Sequence, residues 1–146
     1  MSGRSSANMP SVFCISGEKN SGKTTLIEQV VAILAARGWR VAVIKHDGHS
    51  FAPDVAGTDT RRFFDAGAAG TAVYDGEKYM LVKRESLDEQ QLFKAFADAD
   101  LILIEGLKSS SYPKLFLKAG EWQDPAETAA MLENMIAARR TGEDHA

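Results

Sequence analysis

Residues 11–24 read Ser-Val-Phe-Cys-Ile-Ser-Gly-Glu-Lys-Asn-Ser-Gly-Lys-Thr, an apolar run halted by a glycine and continued by a polar loop. Ser11 to Ser16 has the length and the β-branched and aromatic content of a buried strand. After Thr24, the residues Leu26, Ile27, Val30, Val31 and Leu34 recur at helical spacing, with Gly38 as the stop signal. Between strand and helix, Gly17 to Thr24 matches G-x-x-x-x-G-K-[ST] in full. The chemistry of an anion explains these residue types. Gly17 and Gly22 let the backbone turn successive N–H groups onto one phosphate. The helix that follows aims its positive end at the same place. Lys23 adds a full charge toward the β- and γ-phosphates, and the Thr24 hydroxyl is a ligand for Mg2+. The nucleotide-contacting set is therefore Gly17, Asn20, Ser21, Gly22, Lys23, Thr24 and Thr25.

Outward from this loop, Arg40 to Lys45 is a second strand with a continuously apolar middle, as buried parallel strands have. Strand, helix and strand make a βαβ unit. His46 to Thr60 reads as a long functional loop and Thr60 to Ala66 as a short helix ended by Gly67. Thr71–Tyr74 and Lys78–Lys83 flank Asp75-Gly76, a strong hairpin signal. Ser86 is placed to cap a helix running to about Ala97, with Leu87, Leu92, Phe93 and Phe96 inward. Asp100–Glu105 and Lys114–Leu117 are further strands, and Asp124-Pro125 starts a last helix carrying Met131, Leu132, Met135 and Ile136. The expected architecture is α/β, a three-layer P-loop NTPase fold with a mostly parallel sheet and a protruding β-hairpin. Its domain spans 11–140, between a flexible leader (1–10) and a flexible tail (141–146).

An acid at the end of a neighbouring strand is the second requirement of such a site. Glu105 ends the run Asp-Leu-Ile-Leu-Ile-Glu, at the carboxyl edge where open α/β sheets place their ligands. With Thr24 it forms the candidate metal pair, although a strand-end carboxylate facing water reads the same way. Asp47, just past the second strand, is a candidate for the metal or the attacking water, and Asp47-Gly48 equally makes a turn. Lys23, Glu105 and Asp47 are thus the candidate catalytic residues. His46 and His49 sit in a loop without a third ligand, which speaks for phosphate, substrate or partner contacts over zinc. Arg61-Arg62 reads as a clamp for phosphate or an acidic partner and equally as a solvated helix face, Lys19 as solvated, and Cys14 as a buried thiol.

Composition narrows the function classes. Seventeen basic against twenty acidic residues give a net charge of −3, unlike a domain that neutralises a nucleic-acid backbone. The single cysteine excludes an internal disulfide and points to a reducing compartment, with the cytoplasm as default. Met1 to Pro10 lacks the apolar core of a signal peptide, and no run approaches the ~18 apolar residues of a membrane span.

Three segments together resemble one family. Gly-Glu-Lys-Asn-Ser-Gly-Lys-Thr-Thr, then 45–68 with Lys45-His46, His49, Phe51, Asp54 and Gly57-Thr58-Asp59-Thr60-Arg61, then Asp100–Leu117, are similar to the molybdopterin-guanine dinucleotide biosynthesis protein B (MobB) family. The resemblance covers about Val12 to Leu117. It implies a SIMIBI-type P-loop protein with GTP and Mg2+ as ligands and weak GTPase activity. It also implies a partner, a MobA-like nucleotidyltransferase that joins GMP to molybdopterin, with molybdopterin as a further ligand. Family members are similar in forming homodimers with help from an extended hairpin, here Thr71 to Lys83. An exposed hairpin carrying Val73, Tyr74, Tyr79, Met80, Leu81 and Val82 is itself a reason to expect association. One departure stands out. Family members continue past the strand matching Lys114–Leu117 into another strand that ends in an acid near the base, whereas this chain turns at Gly120 into its last helix. No Asn-Lys-x-Asp motif occurs, so GTP over ATP comes from the resemblance alone.

A GTP-binding accessory protein with slow hydrolysis is the leading expectation, since no arginine finger or positioned glutamine is evident. A small-molecule kinase shares the same start, yet 105–120 offers lysines and serines where such enzymes carry an arginine-rich lid. A third reading is a binding module whose 47–59 loop is ordered by nucleotide.

Overall fold

The computed structural model describes residues 9–46, 57–107 and 110–142. Its elements run β1 (Ser11–Gly17), α1 (Lys23–Ala36), β2 (Val41–Lys45), α2 (Asp59–Asp65), β3 (Gly70–Tyr74), β4 (Tyr79–Lys83), α3 (Glu89–Ala95), β5 (Leu101–Glu105), β6 (Lys114–Leu117) and α4 (Pro125–Thr141). They group into two compact units, one of residues 1–46 with 89–146 and one of residues 47–88.

The larger unit holds a four-stranded sheet of order β2-β5-β1-β6, every pairing parallel. β1 and β5 lie at its centre, so Cys14, Ile15, Leu101, Ile102, Leu103 and Ile104 are fully buried. Alternation along the strands sends Phe13, Ile15, Leu101 and Leu103 to one face, where they meet Leu26, Ile27, Val30 and Leu34 of α1 and Ala129, Leu132 and Ile136 of α4. Cys14, Ile102 and Ile104 face the other way, against Phe93 of α3 and the partly buried Leu107 and Tyr112. Phe93 and Tyr112 pack edge to face with centroids 5.7 Å apart.

The α/β class, the parallel sheet and the additional antiparallel pair are as the sequence predicts, with informative local differences. β2, expected to be buried, is an edge strand with a neighbour on one side only, and Val43 is 42% exposed. The third helix begins at Glu89, two residues after the start expected from a Ser86 cap, and spans seven residues. Less than two turns offer a single deep inward position, so Phe93 is buried while Phe96 is exposed and Leu87 precedes the helix. In α4 the buried stripe falls on Thr128, Ala129, Leu132 and Ile136, which leaves Met131 on the exposed flank.

The last helix starts where its sequence says it must. Asp124 stands at the N-cap in extended conformation and its Oδ1 accepts from Ala126 N at 3.0 Å, with Pro125 at the first helical position. Asp124→Ala is expected to lower stability by about 1 kcal/mol, readable as a shift in the chemical-denaturation midpoint at unchanged slope. Opposite, Trp39 donates its indole N–H to Glu133 Oε2 at 2.8 Å and Arg37 bonds the other carboxylate oxygen. The indole bond first, then Arg37, holds the Glu133 carboxyl below the usual carboxylate range.

In the smaller unit, β3 and β4 pair antiparallel from Gly70↔Lys83 to Tyr74↔Tyr79. The connection runs through Asp75–Lys78, where Asp75 N donates to Lys78 O at 3.0 Å and the chain turns at Gly76 and Glu77. Asp75 Oδ1 accepts from Glu77 N at 2.8 Å and Lys78 N at 3.0 Å, which draws the loop around the carboxylate. The Lys78 ammonium, followed by those two N–H groups, keeps the Asp75 carboxyl below its ordinary range. Arg84 lies over the Phe64 ring at 3.6 Å from the centroid and donates to Ala68 O at 2.9 Å, tying α2 to the hairpin. The expected leader residues 1–8, the loop residues 47–56 with Asp47, His49 and Asp54, and the tail residues 143–146 lie outside the described residues.

Candidate nucleotide-binding site

Gly17 closes β1 where the chain must pass against β6. A Cβ built there falls 2.4 Å from Leu117 O and 2.9 Å from Leu117 N, so only hydrogen fits. The next residue repeats the tie. Glu18 N donates to Leu117 O at 3.0 Å, and Glu18 Oε2 accepts from Ala119 N at 3.3 Å. Asn20 takes a left-handed φ of 60°, tolerated by its short polar side chain. Gly22 is the N-cap of α1 at φ 89°, ψ 17°, a conformation that favours glycine, with open space where a side chain would be. Leu26 N then donates to Gly22 O at 3.0 Å, and the helix is under way.

The side chains of Lys23, Thr24 and Glu105 come together at this loop. Lys23 Nζ reaches back across the loop to Gly17 O at 3.2 Å. Thr24 Oγ1 donates to Glu105 Oε1 at 3.1 Å, although 81 residues separate them in the chain. That contact follows from the sheet register: Ile15 pairs with Glu105 on β5, so the loop after β1 and the end of β5 share one edge. The hydroxyl and the carboxylate are hard oxygen donors side by side, the type of pair Mg2+ takes alongside phosphate oxygens and waters. Ser21 Oγ is buried without a hydrogen-bond partner among the described residues. Lys19 is exposed.

Two cavities open at this end of the sheet. One of about 290 Å³ lies against the loop, lined by Ser21 and Gly22, by Thr25, Leu26 and Gln29 of α1, and by Leu117, Glu121, Trp122 and Gln123. The second, of about 850 Å³, is lined by His46, Glu89, Gln90, Leu107, Ser110, Ser111 and Tyr112. His46 donates its N–H to Glu105 O at 3.0 Å, so it directly follows the β2–β5 ladder. Partial burial, with the nearby Glu89 charge, pushes the Tyr112 hydroxyl above its ordinary range. Lys114 Nζ donates to Leu107 O at 3.3 Å and also to Ser110 O, pinning the segment after β5 over the buried Cys14. Arg61, a candidate phosphate clamp, pairs with Asp65 at 3.0 Å along α2. The candidate Asp47 lies outside the described residues.

Sequence reasoning missed Trp122, the Glu18–Ala119 tie and the Lys114 anchor. All three depend on β6 lying beside β1, a pairing no local pattern announces. An indole in the polar run Gly-Glu-Trp-Gln-Asp was the available signal for the first.

A parallel sheet whose first strand feeds a two-glycine loop and a Gly-Lys-Thr helix start, with a carboxylate ending the adjacent strand, defines a P-loop fold. The chain belongs to the MobB family: the sequence profile of molybdopterin guanine dinucleotide synthesis protein B matches residues 12–140. It is similar to a molybdopterin-guanine dinucleotide biosynthesis adapter protein of Haemophilus influenzae, 37% identical over 117 residues, which cover 76% of this chain and 65% of that protein. A probable adapter protein of Bacillus subtilis is 37% identical over 105 residues, covering 69% and 61%. The chain thus spans somewhat under two thirds of the length of these relatives. The crystal structure of Bacillus subtilis MobB superposes with a TM-score of 0.64 at 31% identity, over 82% of this chain and 72% of that one. Among the described residues no helix is long and apolar enough to cross a membrane.

Proposed function

We propose that this protein is a GTP-binding adapter with slow GTPase activity, acting in molybdenum cofactor biosynthesis alongside a MobA-like nucleotidyltransferase that joins GMP to molybdopterin. The observation that carries the nucleotide reading is the convergence of Lys23, Thr24 and Glu105 at the mouth of the glycine loop. The loop amides cradle the phosphates, and the Lys23 ammonium turns from Gly17 O onto the β- and γ-phosphate oxygens. Thr24 and Glu105 would hold Mg2+, which would supply charge neutralisation to the phosphate oxygens. Asp47, next to His46 in the chain, is the candidate to orient the attacking water. The preference for guanine and the pathway role rest on family membership.

Calorimetric titration with GTP, GDP and ATP, each with and without Mg2+, tests the reading. Micromolar GTP binding that strengthens with Mg2+ supports it, and no heat with any nucleotide overturns it. Glu105→Gln is expected to remove roughly tenfold of the Mg2+-dependent gain and leave binding in EDTA unchanged.

Homodimerisation through the Thr71–Lys83 hairpin belongs to the same proposal. Tyr74 is 82% and Tyr79 76% exposed, with Val73, Met80 and Leu81 also open to solvent on a two-stranded sheet. Such a surface favours a second copy over water. Sedimentation should give a dimer for the native chain and a monomer for Leu81→Asp. A native monomer at tens of micromolar would sink this part.

A further inference from the structure

We infer that Trp122 is the platform on which the nucleotide base stacks, so that the turn between β6 and α4 forms the base wall of the site. The inference rests on the nucleotide reading above and goes beyond it by assigning the base.

The two tryptophans of the chain have contrasting settings. Trp39 gives its N–H to Glu133 and lies under the Arg140 guanidinium at 5.4 Å from the ring centroid, as a packed structural residue does. Trp122 is 79% exposed and its indole makes no hydrogen bond among the described residues. An isolated surface indole is solvated at a cost and gains no packing, yet this one lines the same cavity as Ser21 and Gly22 of the phosphate loop and Thr25, Leu26 and Gln29 of α1.

The turn that carries it is held at both ends. On one side, Glu18 of the loop bonds Leu117 O and Ala119 N, and Glu121 N closes a turn onto Lys118 O at 3.1 Å around Gly120 at φ 85°. On the other, Asp124 caps α4. The indole is therefore presented from a fixed position three residues beyond the Ala119 tie. A triphosphate seated in the loop hands its ribose and base to whatever borders Thr25 and Gly22, and Trp122 is the aromatic residue there. Stacking on an aromatic ring is tolerant of which base it receives, because every base has a π-face.

The test uses the full chain and two probes, Mg-GTP and base-free inorganic tripolyphosphate. Trp122→Ala is expected to weaken GTP and ATP by similar factors, roughly tenfold, and to leave tripolyphosphate affinity as it was. Trp122→Phe restores most of the loss. Intrinsic fluorescence should be quenched by GTP in the native chain and not in Trp122→Phe, where only Trp39 reports. Equal GTP affinity in native and Trp122→Ala proteins overturns the inference while leaving the nucleotide reading intact, and so does an equal loss of tripolyphosphate. A native chain that binds neither probe overturns both.

Discussion

Lys23→Ala is expected to weaken Mg-GTP binding roughly a hundredfold, the value of one or two charge-assisted hydrogen bonds to phosphate. Fold stability should stay within about 0.5 kcal/mol of native, as for other partly exposed side chains without a packing role. Among the described residues the Lys23 ammonium donates to Gly17 O at 3.2 Å, and the helix it starts is anchored by Leu26, Ile27, Val30 and Leu34. Nothing in the core depends on it. The measurement is calorimetric affinity set beside thermal unfolding of the unliganded protein. A variant that keeps native affinity would mean that the loop does not hold a triphosphate, and one that loses both affinity and stability would assign Lys23 a structural role instead.

Gly17→Ala carries the largest expected effect on the fold, a loss of roughly 3 kcal/mol. The added methyl meets Leu117 O at 2.4 Å and Leu117 N at 2.9 Å, and these are backbone atoms that no rotamer change can move aside. Relief requires the end of β1 and the end of β6 to part, which strains the Glu18 N bond to Leu117 O. Gly22→Ala makes a useful contrast. Its φ of 89° strains an alanine, but nothing lies within 4 Å of the new methyl, so the cost is conformational alone, about 1–2 kcal/mol. Equal costs for the two variants, measured by urea unfolding, would refute the close-approach explanation for Gly17.

The parts of this molecule that were legible in its sequence are those in which neighbours along the chain do the work. The loop from Gly17 to Thr24 must use glycine, lysine and a hydroxyl residue at fixed spacing, and Leu101 to Ile104 must be apolar on both faces of a central strand. Asp124-Pro125 likewise states its own role. Where function depends on pairing across the chain, the sequence was silent. Val43 looks as buried as Ile104 until the strand order puts β2 at the edge. Trp122 reads as a loop residue until β6, lying beside β1, brings the turn to the phosphate loop. The hairpin was legible from Asp75-Gly76, but the bonds from Glu77 N and Lys78 N that gather its turn around the Asp75 carboxylate were not.

The bonds of Lys23 to Gly17 O and of Thr24 to Glu105 have a thermodynamic consequence for the proposed nucleotide. Each group surrenders an internal partner for every external one it acquires, so loading is an exchange rather than a gain of contacts. The enthalpy of association should consequently be modest for a doubly or triply charged guest, with release of ordered solvent and counterions supplying much of the drive.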